Sequence, residues 1–326
     1  MKKKTALVLG VSGGIGGEIA KALIADGWVV KGLVRKENEK LAERVEFIIG
    51  DALNAADVLN AAKGVDAIIH AVNPPGYKNW SQLVLPMIDN TIAAAKATGA
   101  RIVLPGTIYN FGHKAPSNIT ETTPQEPTTR KGQIRKELEN RLFEASRHGV
   151  RVLIVRCGDF FGPKPGNNWF SQGMITPNQP VTKIANPSKS GVGHSWAYLP
   201  DAANTVVELL NQGSRLQAFE VFNFGGTWDH DGMQMALAIN QNLQKPAVIK
   251  PAPWFLFKLL SPFVVVFREL LEMKYLWTKP YKLDNSKLIG FLGHEPKTPL
   301  VEAVHDTLVG LGCLPAERSA QGRPVG

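Results

Sequence analysis

The sequence predicts an α/β fold: a doubly wound parallel sheet with a small, mostly helical C-terminal lobe. Three observations predict it. Short apolar runs alternate with helix-length segments from residue 5 to residue 157, and the first run breaks into a glycine-rich turn that opens a helix. After residue 157 the pattern gives way to a stretch rich in Gly, Pro, Asn and Ser.

Segments 5–10, 28–34, 45–50, 65–71, 101–105 and 150–156 are short and continuously apolar, as strands buried on both faces are. Between them, 15–26, 54–63, 81–98 and 131–147 have helical length. Right-handed crossovers turn such units into a sheet with helices on both faces. Residues 158–195 read as loops and short elements, 201–212 as a helix and 219–224 as a strand returning to the sheet. Residues 226–310 read as mostly helical, and the tail 314–326 as disordered. The expected division is a first unit over 1–165, to which 196–224 return, and a second lobe built from 166–195 and 225–313.

Composition narrows the function classes. Hydrophobic residues make up 44% and charged residues 20%, the balance of a water-soluble globular protein. The two cysteines, Cys157 and Cys313, lie too far apart in sequence for metal-ligand spacing, so neither a disulfide framework nor a zinc site is expected. That points to a reducing, cytoplasmic compartment. The apolar run after Lys2-Lys3-Lys4 is short and ends at Gly10, which reads as a first strand rather than a signal peptide. The net charge of +9 suits anionic small molecules. The basic residues are scattered and no nucleic-acid motif is present, so no nucleic-acid partner is expected. Residues 254–267 are strongly apolar but too few to span a bilayer. They read as a buried or substrate-capping helix pair, with peripheral membrane contact as the alternative. A monomer or homodimer without stable membrane insertion is expected.

The strongest motif is Leu9-Gly10-Val11-Ser12-Gly13-Gly14-Ile15-Gly16-Gly17, a glycine-rich loop between a strand and a helix. Gly10 allows the tight turn, Gly13 lets the backbone approach a pyrophosphate, and Gly16 lets the helix pack on the strand. Ser12, Gly14 and Ile15 complete the loop, whose helix N-terminus offers N–H groups to phosphates. This makes the sheet a dinucleotide-binding sheet of the Rossmann type. The second strand ends in Arg35-Lys36, with no carboxylate before Glu37. A carboxylate there would hold a ribose 2′-hydroxyl, whereas Arg35 suits a 2′-phosphate, so NADP(H) is the expected cofactor, ahead of NAD(H). Asp51 and Ala52, after the third strand, would meet the adenine. Ala71, Val72 and Asn73, after the fourth, would meet the ribose and pyrophosphate. His70 reads as a packed histidine.

Together these features resemble the extended and atypical short-chain dehydrogenase/reductases, the epimerase/dehydratase-like group. The loop Gly10–Gly16, Gly50-Asp51, Ile108-Tyr109-Asn110-Phe111-Gly112, Cys157-Gly158-Asp159-Phe160-Phe161-Gly162-Pro163, residues 196–203 and residues 298–303 carry the resemblance. It implies a catalytic tyrosine followed four residues later by a lysine, on the helix after the fifth strand. Here that helix reads Arg130-Lys131-Gly132-Gln133-Ile134-Arg135-Lys136, without a tyrosine. Aligned on the glutamate that follows, Lys131 takes the tyrosine position and Arg135 the lysine position. A shift by one residue gives Gly132 and Lys136 instead. The first register keeps two functional side chains on one helical face. Thr107 stands nearest the family's serine, and Tyr109 lies beside it.

The implied activity is NADP(H)-dependent reduction or oxidation of a small carbonyl or related substrate, with an altered proton-transfer site formed by Lys131, Arg135, Thr107 and Tyr109. A non-catalytic, redox-sensing NADP(H) binder and a nucleotide-sugar epimerase or dehydratase are the alternatives. Trp80, Phe160, Phe161 and Trp169 suggest an aromatic pocket. No histidine has metal-ligand spacing, Asp229-His230-Asp231 reads as a turn, and no serine-nucleophile elbow is present.

Overall fold

β1 (Thr5–Leu9) is apolar on both faces and fully buried from Ala6 to Leu9. It leads into α1 (Gly14–Ala25), β2 (Val29–Val34), β3 (Val45–Ile49), α2 (Ala55–Ala61), β4 (Ala67–His70), α3 (Trp80–Thr98) and β5 (Arg101–Thr107). A short β6 (Asn118–Ile119) precedes α4 (Arg130–Arg147) and β7 (Val152–Cys157). The computed structural model describes residues 3–36, 45–74, 79–164, 166, 168–263 and 265–315. Glu37 and the tail from residue 316 on, both used in the sequence reading, lie outside the described residues.

Beyond β7 come β8 (Asp159–Phe161), β9 (Lys183–Asn186), β10 (His194–Tyr198), α5 (Leu199–Asn211), β11 (Phe219–Asn223), β12 (Thr227–Asp229), α6 (Gln234–Gln241) and β13 (Val248–Pro251). Then follow α7 (Trp254–Leu260), α8 (Val265–Glu272), β14 (Lys282–Leu283), α9 (Ser286–Leu292) and α10 (Leu300–Gly310). Among the described residues the central sheet has seven strands in the order β11-β7-β5-β4-β1-β2-β3, every neighbouring pair parallel. The strand order reverses at β1, which lies between β4 and β2. A parallel sheet that reverses there opens a crevice beyond the carboxyl ends of β1 and β4, the place where such sheets take ligands.

Helices cover both faces. Ile19 and Leu23 of α1 pack with Val206 and Leu210 of α5, while Val58 of α2, Ile88 of α3 and Leu138 and Leu142 of α4 pack on the other face. A third apolar cluster joins Phe161, Phe170, Trp196, Tyr275, Trp277 and Ile239 beyond the sheet's carboxyl edge.

The region read as loops and short elements, 158–195, holds β8, β9 and the start of β10. β10 pairs with β8 and β12, and all five of its residues are buried. Its polar members hid it. His194 meets Asp159 Oδ2 at 2.9 Å, and the Ser195 hydroxyl donates to the Tyr281 carbonyl at 2.9 Å, so both are buried without an unmet hydrogen-bonding group. The mostly helical stretch after residue 226 likewise carries β12, β13 and β14. Among the described residues no helix is long and apolar enough to cross a membrane. The apolar run 254–267 is split between α7 and α8, and no residue of α7 is buried.

Candidate functional site

The glycine-rich loop turns sharply out of β1. Gly10 has φ +89°, and a Cβ there would lie 2.5 Å from the Ala71 carbonyl oxygen, so β1 and the end of β4 touch backbone to backbone. A Cβ on Gly16 would strike the Gly10 carbonyl oxygen, which is why α1 can lie so close to its strand. Gly13 differs. Among the described residues a Cβ there would meet only the Gly10 carbonyl oxygen, at 3.2 Å, so their atoms leave its outer side open. Gly13 also caps α1 without a side-chain hydrogen bond, and the first turn holds no acid. The backbone N–H groups at that N-terminus are therefore available to a phosphate. This cradle fits a dinucleotide pyrophosphate.

The residues read as the adenine end lie along β2 and β3. Arg35 is exposed just past β2. Asp51 accepts from the Leu53 N–H at 3.0 Å and donates its own N–H to Asp57 at 2.9 Å, which fixes the turn after β3. The Ala52 carbonyl accepts from Asn90 at 2.9 Å.

At the other end, Ala71, Val72 and Asn73 leave β4 beside Arg135 of α4. Arg135 donates to the Asn73 side chain at 3.4 Å, and its guanidinium stands 5.0 Å from the centre of the Trp80 ring. Arg135 is only 9% exposed and Lys131 only 2%. The four-residue basic run at the start of α4 therefore does not coat a solvated face: Arg130 points outward, and Lys131 and Arg135 point in.

Lys131 is held from α8. Its ammonium lies 2.6 Å from Glu269 and 3.0 Å from Glu272, both on α8, and donates to the Glu269 carbonyl at 3.1 Å. These three acceptors match its three N–H donors. Its backbone N–H donates to Glu272 as well, at 2.9 Å. In the alternative register, Gly132 packs against the Tyr109 carbonyl so closely that a Cβ would clash, and α4 thereby clamps the segment after β5. His70 is packed, as read from the sequence. Burial first, then the Arg135 charge, bring its pKa down to about 3. Thr91 donates to the Met87 carbonyl, so the neutral ring donates Nδ1–H to Thr91, at 2.8 Å.

Thr107 and Tyr109 line a cavity of about 40 Å³ with Cys157, Asp159, Phe160 and Trp169. Thr107 also accepts from the Tyr109 N–H at 3.3 Å. Burial pushes the Cys157 thiol far up, which makes it an apolar wall rather than a nucleophile. The expected aromatic pocket divides. Phe160 and Trp169 reach the cavity, Trp80 lies under Arg135, and Phe161 is stacked on Phe170 in the core. Sequence reasoning passed over Asp159, Glu269 and Glu272. Asp159 stood inside a quoted motif, whereas the two glutamates gave no signal beyond their i, i+3 spacing.

Among the described residues no cluster of His, Cys, Asp or Glu could hold a metal. Asp229 and Asp231 instead accept the N–H groups of Met233, Gln234 and Met235 at the start of α6.

Known proteins share this architecture. UDP-glucose 4-epimerase from Brucella ovis, solved in complex with NAD, superposes with a TM-score of 0.75 at 14% identity, covering 95% of this chain and 98% of that one. The enzyme of the same name from Bifidobacterium longum, solved with NAD+ and UDP, gives 0.71 at 15% identity, with 95% and 98% covered. At such identities the likeness shows the fold. In sequence, Protein YeeZ of Escherichia coli K12 is 28% identical over 187 residues, 54% of this chain and 65% of that protein, so the match spans just under two thirds of its length. The mouse sterol-4-alpha-carboxylate 3-dehydrogenase, decarboxylating, is 34% identical over 82 residues, 25% of this chain and 22% of that enzyme. The family model described as NAD dependent epimerase/dehydratase matches residues 6–225, so the chain belongs to the NAD-dependent epimerase/dehydratase family.

Proposed function

We propose that the chain is an NADP(H)-dependent oxidoreductase acting on a small carbonyl compound, with Lys131 and Arg135 where the family's tyrosine and lysine would stand. The carrying observation is the cavity beyond β5. There Thr107 and Tyr109 line one small cavity with Phe160 and Trp169, so polar and aromatic side chains converge on one place, the lining that suits a small carbonyl compound. A bound nicotinamide supplies or accepts the hydride. Arg135 and Asn73 hold the nicotinamide end of the cofactor beside Ala71 and Val72. Thr107 and Tyr109 orient the substrate oxygen by their hydroxyls, and Phe160 and Trp169 exclude water. Lys131, paired with Glu269 and Glu272, fixes the lobe formed by 166–195 and 225–313 over the nucleotide unit and so positions the groups around the substrate. A panel of aldehydes, ketones and enones, assayed for steady NADPH consumption, tests the reading; binding of NADPH without consumption of it by any of them overturns it.

That second outcome is the alternative reading, an NADP(H) binder without turnover. One observation favours it: the ammonium of Lys131 already faces three acceptors. Two substitutions separate the roles. Arg135→Ala is expected to weaken NADPH binding, and Lys131→Met to lower kcat more than affinity. A Lys131→Met protein with unchanged kcat would remove Lys131 from the chemistry.

Arg35 supports the NADP(H) preference. Arg35→Ala is expected to weaken NADPH binding by about 1.5–3 kcal/mol, the scale of a charge-assisted hydrogen bond, and to leave NADH binding unchanged. Titration calorimetry with both cofactors measures this, and an equal loss for the two rules out a 2′-phosphate contact.

A further inference from the structure

We propose that α7 and the turn after it dock this protein on the surface of an anionic lipid bilayer, without crossing it. The helix Trp254–Leu260 turns large apolar side chains to water: Phe255 is 81% exposed, Leu259 60% and Leu256 45%, and Phe263 in the following turn is 85% exposed. Phe255 and Leu259 stand four positions apart, the spacing of one helical face, and Phe263 follows in the turn after the helix. The opposite side is anchored. The Trp254 indole donates to the Pro187 carbonyl at 3.2 Å and packs against Trp169, and Phe257 stacks on Phe267 of α8 at 4.9 Å. The exposed apolar face is thus held out on a fixed helix rather than on a loose end. Exposed aromatic and leucine side chains on a short amphipathic element are the means by which a protein enters the headgroup boundary.

Charge decides the occupant. Between residues 245 and 275 the bases are Lys245, Lys250, Lys258, Arg268 and Lys274, and the only acids are Glu269 and Glu272. Both acids face Lys131, with side chains 16% and 21% exposed, and Glu269 also lies 3.6 Å from Arg268; the Arg268 side chain is nonetheless 63% exposed and Lys258 faces solvent. The rim of the apolar face is therefore positive. Anionic headgroups complement it. A second copy of the same face would bring two positive rims together, which disfavours a dimer through this surface.

The test uses the full chain and sucrose-loaded vesicles, either pure phosphatidylcholine or an equal mixture with phosphatidylglycerol. Most of the protein is expected to sediment with the mixed vesicles at low salt. Sedimentation is expected to fall at least about tenfold with pure phosphatidylcholine, and in roughly 0.5 M NaCl, where screening reaches only a few ångströms. Phe255→Ser with Phe263→Ser is expected to abolish it with an unchanged melting temperature, since both side chains are exposed. Lys258→Glu, which leaves the apolar face intact, is expected to weaken it. Protein that stays in the supernatant with mixed vesicles overturns the proposal. So does equal binding to neutral vesicles, or equal binding by the double variant. A dimer in light scattering that the double variant converts to monomer, without vesicle binding, assigns the face to a second copy and overturns it too.

Discussion

Gly13→Val is expected to abolish dinucleotide binding while the protein stays folded. The reason lies in the difference between two glycines three residues apart. At Gly13 φ is −81°, which any residue adopts, and among the described residues a Cβ meets only one atom, the Gly10 carbonyl oxygen at 3.2 Å. The protein alone tolerates the change with a small local shift. The branched side chain then fills the open side of the loop, over the N–H groups at the start of α1. Losing two charge-assisted hydrogen bonds there costs about 3 kcal/mol or more, roughly a hundredfold in affinity. Gly10→Val is the contrasting case. Its φ of +89° and the 2.5 Å approach to the Ala71 carbonyl make any side chain a strain on the fold itself. The pair separates binding from folding: the Gly13 variant loses cofactor in calorimetry but melts normally, and the Gly10 variant melts early. A folded Gly13→Val protein that binds NADPH as before would reduce the loop to a turn.

The loop was legible because all of its determinants are local. A continuous apolar strand, a glycine run and a helix follow one another within a few residues, and the parallel sheet repeats the pattern. The orientation of α4 was legible in part. Lys131 and Arg135 share a face by spacing alone, but four bases in seven residues carry no sign of which are buried. What holds Lys131 was not legible at all. Glu269 and Glu272 are about 140 residues away in the chain, and such pairing depends on how the C-terminal lobe folds back over α4. The same applies to β10. Its buried His194 and Ser195 look like loop residues until Asp159 and the Tyr281 carbonyl are seen to satisfy them. Local periodicity encodes the apolar sheet well, whereas buried polar partners are chosen by tertiary contact.

Glu139→Ala is expected to destabilise the fold by about 3–5 kcal/mol, the cost of leaving one member of a buried ion pair uncompensated. Glu139 of α4 accepts from Arg156 of β7 at 2.6 Å, and the two side chains are 6% and 3% exposed. It also accepts from Gln125 at 2.7 Å, which in turn accepts from Asn110 at 2.9 Å. Arg156 as a whole residue is 2% exposed. Its guanidinium lies 5.5 Å from the Phe111 ring centre, and among the described residues its Nη1 has no hydrogen-bond partner. Removing the carboxylate therefore strands a desolvated cation beneath the segment 107–111 that carries Thr107 and Tyr109. The loss should appear as a lower denaturant midpoint at constant m-value. Glu139→Leu combined with Arg156→Met is expected to recover most of it, because an apolar pair of similar volume needs no compensating charge. The order of the two results separates stability from specificity. If the double variant is stable yet binds NADPH poorly, the pair's work is to hold Asn110 and its neighbours in register with the site. A Glu139→Ala protein less than about 1 kcal/mol destabilised, within the range of an ordinary surface substitution, would mean that water reaches Arg156 and that the pair is not a buried one.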